Sequence, residues 1–176
     1  MLRTITISAL VSLVAAAAGA TVFVQTDLGE LSRATRSIVR GRISAVESRW
    51  AEDHRRIETL VTLDVETALK GPLAEHVQFT VPGGQLGRYT SIVVGAPQFG
   101  VSQHVLVFLG GRGAQLPHVL GWMQGVFRIV ESGGLMVMPP PMVSTGSVSA
   151  PIARGSSAVP LAEFERRVRA FTDGRL

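Results

Sequence analysis

The chain has 176 residues, 46% of them apolar, and a formal charge of +4. That length and composition fit one domain with a real core plus an export segment. It has no cysteine, which excludes a disulfide framework, a thiol nucleophile and a thiolate metal site. Lys70 is the single lysine, so arginine carries the basic excess, which is too modest to point to a nucleic-acid partner.

Residues 1–20 have the three parts of a secretory signal. Arg3 supplies a positive start, and an apolar run over 5–18 is too short for a spanning helix. Ala18-Gly19-Ala20 then offers a small-x-small cleavage site, with Ala20 and Thr21 flanking the cut. The competing reading is a retained anchor, because Thr21-Val22-Phe23-Val24 extends the apolar run. No second long apolar run follows, so no transmembrane domain is expected in the mature chain.

Residues 22–25 suit a short first strand. Asp27 is placed as an N-cap for a helix with Leu28, Leu31 and Thr35 on one face, ending near Arg36. SIVRGRISAVESRW, residues 37–50, reads as a long strand with Val39, Gly41, Ile43 and Ala45 inward and Arg40, Arg42 and Ser44 outward. The apolar phase shifts at Ala45-Val46, the mark of a bulge. Gly41 inside the strand marks a bend or a close backbone approach. AEDHRR, residues 51–56, is a polar hairpin tip. The next strand puts Ile57, Thr59, Val61, Leu63, Val65 and Thr67 on its inner side and Glu58, Thr62, Asp64 and Glu66 outside.

Lys70-Gly71-Pro72 ends that strand. Val77, Phe79 and Val81 alternate again until Pro82-Gly83-Gly84. Residues 85–97 are punctuated by Gly and Pro. HVLVFL, residues 104–109, is apolar on both faces and reads as a central strand. Residues 110–113 form a turn. Residues 118–122 and 126–130 are further strand runs, residues 131–134 a hairpin turn, and residues 135–138 the last strand. Residues 142–159, rich in Ser, Gly, Ala and Pro, read as a flexible loop. Pro160 then opens a helix with Leu161, Phe164, Val168 and Phe171 on one stripe, acidic early and basic late.

The expected organisation is a signal over 1–20, a β domain over 21–141, a loop over 142–159 and a C-terminal helix over 160–173. The fold class is mainly β: a small barrel, or a curled antiparallel sheet, with a short N-terminal helix and a C-terminal amphipathic helix packed on it. A closed barrel would remove exposed strand edges.

The stretches IVRGRISAVESRW, TLVTLDVETALKG, FTVPGG, GAPQFGVSQHVLVFL and GWMQGVFRIV resemble a group of uncharacterised exported bacterial proteins. The order Val-x-Gly-x-Ile, Val-x-x-x-Leu-Lys-Gly and Val-Leu-Val-Phe-Leu is more distantly similar to the netrin-like module of tissue inhibitors of metalloproteinases. The resemblance covers residues 37–130 and implies an OB-like barrel. In those inhibitors an N-terminal cysteine binds the target's zinc. This chain has none, so the mechanism does not carry over. Thr21 alone maps to that end.

The residues announce no reaction. His54, His76, His104 and His118 share no metal-ligand spacing. Asp64 and Glu66 lie on one outward face, where a solubilising role competes with cation binding. No G-x-S-x-G elbow is present. The residues 82–87, PGGQLG, lack the Lys-Ser/Thr of a phosphate loop. No catalytic residue, metal or cofactor is expected. Arg40, Arg42, Trp50 and Trp122 are the candidate interaction surface, with core packing the competing role for Trp122. The expected function is a non-enzymatic exported protein that binds a secreted or envelope protein, and no nucleic acid. The alternatives are a modulator of a secreted metalloprotease and a hydrolase whose site assembles only in the fold.

Overall fold

Two short-period signals, the alternation along residues 37–50 and 57–70, build the longest hairpin among the described residues. Residues 27–111, 115–140 and 158–174 are described in a computed structural model. The expected export signal, the Ala20–Thr21 cleavage site, the strand at 22–25, residues 112–113 of the turn and residues 142–157 of the loop lie outside those residues. Helix α1 (Leu28–Ala34) leads into β1 (Ser37–Trp50), β2 (Ile57–Lys70) and β3 (His76–Pro82). A small hairpin follows, β4 (Gly84–Leu86) and β5 (Tyr89–Ser91), then β6 (His104–Gly110) and the two-residue β7 (His118–Val119). A 3-10 turn (Trp122–Gly125), β8 (Val126–Glu131), β9 (Leu135–Met138), β10 (Val159–Pro160) and helix α2 (Leu161–Thr172) complete the order.

The N-cap is where the sequence placed it: Asp27 Oδ2 accepts the Gly29 N–H at 3.0 Å. Replacing Asp27 by Ala should cost about 1 kcal/mol, read as a lower urea midpoint with unchanged slope.

The fold is mainly β, with one large sheet and two helices. β1 pairs with β2 on one edge and β6 on the other. β2 pairs with β3, and β6 pairs with both β7 and β8. The expected closed barrel is not found. The β3–β7 link is a single parallel pair, Thr80 with His118. The reason lies in β6, whose second edge is divided. Val105, Leu106 and Val107 pair with β8, while Leu109 and Gly110 pair with β7. A strand edge holds one neighbour per residue, so the sheet forks there and continues outward through β9 and β10.

The fork gives two cores, one on each face of β6. Val105, Val107 and Leu109 join Val39, Ile43, Val61, Leu63 and Phe79. Leu106 and Phe108 join Leu31, Ile38, Ile129, Phe164 and Val168 beneath the helices. This is why β6 is apolar on both faces.

Three register shifts interrupt the β1–β2 ladder and leave Ser44, Glu66 and Leu69 unpaired. The shift at Ser44 lies beside the expected bulge at Ala45-Val46. The shift at Glu66 turns the strand over, so Thr67, expected inward, accepts a hydrogen bond from Arg40 at 2.8 Å. Two further expectations change. Residues 120–122 are not strand, because the chain enters the 3-10 turn at Trp122. Val159 is not loop but pairs with Val137.

Candidate functional site

The four residues singled out on the sequence do not form one patch: Arg40 and Arg42 share Glu66, and Trp50 lies away from them. Arg40 and Trp50 sit ten residues apart on β1, roughly 30 Å along a strand. The Arg40 side chain is only 18% exposed, 3.2 Å from Glu165 on α2 and 3.6 Å from Glu66. It fastens the helix to the sheet rather than presenting a free surface. Arg42 is more exposed and also faces Glu66, at 3.6 Å.

Glu66 is the hub of this cluster, and its Oε2 lies 2.9 Å from His104 Nε2. The His104 side chain is 7% exposed. Burial lowers its pKa first; Arg42 and Arg40 push the same way, while Glu66 opposes them. The fold therefore binds fewer protons at this imidazole than the unfolded chain does. Its contribution to stability is intact above the ordinary value near 6.5 and is lost as pH falls through that value toward the lower folded one. The urea midpoint should therefore drop between about pH 7.5 and about pH 5.5, and His104→Gln should flatten that dependence.

Ser44, Asp64 and His76 meet on the outer face. Ser44 Oγ donates to Asp64 Oδ1 at 2.6 Å, and His76 Nδ1 lies 2.9 Å from the same oxygen. The Ser44 and His76 bonds, in that order of size, hold the Asp64 carboxyl below its usual range. A hydrolytic triad needs the serine proton on an imidazole, whereas here it points at the carboxylate. Asp64 and Glu66 thus have separate partners instead of forming one paired site. His54 lies on the exposed hairpin tip, where Asp53 accepts from Arg55 N–H and Arg56. Among the described residues no group of three or more His, Cys, Asp or Glu side chains is placed to hold a metal ion.

A broad concave groove lies at the other end of β1 and β2. There Gly84 folds the β4–β5 hairpin back across the sheet. Gly84 has φ +136°, and a Cβ on it would stand 2.5 Å from both Ser48 Oγ and Thr59 Oγ1. Thr59 Oγ1 donates to the Gly83 carbonyl at 2.8 Å, and Ser48 Oγ accepts the Gln85 N–H at 3.2 Å. These hydroxyls fix the hairpin, and Ile92, Val93 and residues 96–99 form the opposite wall. The groove between them holds about 500 Å³. None of its wall residues is ionisable: the polar ones are Ser48, Thr59, Gln85, Thr90, Ser91 and Gln98.

A second cavity of about 350 Å³ shares Val81, Pro82 and Pro97 with the groove and adds Thr80, His118, Val119 and Trp122. Trp122 is 46% exposed, so core packing is not its role. Its φ is +57°, directly after Gly121 at +71°. That conformation is an outlier for a bulky residue and costs about 1–3 kcal/mol. Trp50 lies at the hairpin side, 38% exposed, with its ring edge-on to Tyr89 at 5.7 Å. Arg88 lies over the Tyr89 ring, 5.0 Å from its centre.

The β4–β5 hairpin is not among the expected elements. The cue was there: Leu86 pairs with Tyr89 across the two-residue turn Gly87-Arg88, and Gly-X is a hairpin turn pair. The strands, three residues each, were too short to show a period.

The fold and grooves define a mainly β protein with an uncharged, aromatic-rimmed cleft at one end of its sheet. Comparison with protein-family models, curated proteins and solved structures gives no significant match. Among the described residues no helix is long and apolar enough to cross a membrane. Thr21, the position that maps to the zinc-facing end of the inhibitors, lies outside the described residues.

Proposed function

We propose that this chain is an exported, non-enzymatic binding protein of the bacterial envelope or exterior, and that the cleft is its contact surface for a protein partner. The observation that carries this reading is the company the cleft keeps. Ile92 and Trp122 are exposed in its walls, Tyr89 and Val94 are exposed next in the chain to wall residues Thr90 and Val93, and Trp50 is exposed against Tyr89. Exposed apolar residues gathered in one place, aromatics included, are characteristic of contact surfaces. The signal-like residues 1–20 support export. The OB-like reading of the frame belongs to the same proposal. It is supported by the strand order β1–β2–β3–β7–β6 with β1 also paired to β6, a curled arrangement that stops short of a closed barrel at the single β3–β7 pair.

Two measurements test it. N-terminal sequencing of the protein recovered outside the cytosol should begin at Thr21. Cross-linking in intact cells should join the chain to a distinct protein. Retention in the cytosol with no cross-linked product would overturn the reading.

A further inference from the structure

We infer that the groove and the Trp122 cavity together take one extended, uncharged peptide segment, with a large apolar side chain seated against Trp122. This rests on the binding role proposed above and names the partner's chemistry.

Continuity comes first. Pro82 and Pro97 stand in the walls of both cavities, so the two lie side by side, and a ligand that crosses these prolines reaches Trp122. Charge comes second. Neither lining contains Lys, Arg, Asp or Glu, although charged pairs crowd the rest of β1 and β2, as at Arg49–Glu58 and Arg42–Glu66. A charged ligand would lose hydration inside these linings and find no counter-charge there, the nearby cation Arg88 being held over the Tyr89 ring outside them. The hydroxyls and amides of Thr90, Ser91, Gln85 and Gln98 instead match the alternating N–H and C=O groups of an extended backbone.

The rim decides between peptide and glycan. Ile92, in the groove lining, is 84% exposed, and Val94, next to the lining residue Val93, is 76% exposed. Branched aliphatic side chains at a rim gain by covering other apolar side chains, whereas sugar hydroxyls would lose water against them. Trp122 then supplies a broad apolar wall, with His118 and Thr80 as the polar groups of that cavity. Its volume of about 350 Å³ is at the small end for ligand sites, suited to one side chain.

The test uses the full chain and synthetic uncharged peptides of about ten residues, blocked at both ends, with the central residue varied. Trp50 and Trp122 are the chain's two tryptophans and flank the cleft, so intrinsic fluorescence reports occupancy. Peptides centred on Leu or Phe should bind with Kd on the order of 10–100 μM and those centred on Ala about tenfold more weakly. Trp122→Ala should weaken binding about tenfold or more. Trp122→Phe should retain most of it, and Val130→Ala, on β8 and outside both linings, should change nothing. Several results would overturn the inference: no peptide bound by about 1 mM, equal binding of lysine- or glutamate-centred peptides, binding of neutral oligosaccharides in place of peptides, or indifference to Trp122→Ala. A cross-linked partner that survives Trp122→Ala would also overturn it while leaving the broader binding role intact.

Discussion

Gly41→Ala should destabilise the protein by about 3 kcal/mol or more, although it adds a single methyl group. A Cβ at Gly41 would stand 1.9 Å from the Asp64 carbonyl oxygen and 2.8 Å from its carbon. Those atoms are backbone, so no side chain can swing aside. Relief requires β1 and β2 to separate where the ladder is already interrupted by the unpaired Glu66. Gly100→Ala is the control. Its Cβ would meet the Gln103 side-chain end at 3.4 Å, an ordinary contact, and should change stability by less than about 1 kcal/mol. Urea unfolding of both variants checks the contrast. Equal midpoints would mean that the strands are not so closely apposed.

Phe164→Ala should cost about 3–5 kcal/mol, the range for emptying a buried aromatic site. Phe164 is buried on α2, its ring 4.7 Å from Phe127, which lies 5.6 Å from Phe108 on β6. This row of rings joins the helix to the sheet's second core. Its loss should also expose the amides of α2 to exchange more than those of β6, because the first core, with Val61, Leu63 and Phe79, is untouched. Hydrogen exchange resolved by segment separates the two effects. Uniform loss of protection would show that the two cores unfold as one.

Much of the architecture was legible in short-range pattern. The boundaries of β1, the Asp27 cap, the apolar β6 and the stripe on α2 all follow from spacing or from one side-chain oxygen near a free amide. Gly41 was legible as a close approach because an interior strand glycine has few other uses. The candidate site was far less so. For Trp122 a surface role and a core role both stood open on the sequence, and its exposure depends on a left-handed backbone at two consecutive residues. Arg40 read as surface, yet α2, more than a hundred residues along, covers it through Glu165.

The sequence by itself determined the long strands, the two described helices and most of their inward faces, since those depend on side-chain period and on contacts a few residues apart. Only the tertiary structure decided that β6 divides one edge between two neighbours and that Pro82 and Pro97 stand in the walls of two neighbouring cavities. Those outcomes depend on how distant segments share hydrogen-bonding edges and space, and no local pattern of residues records that.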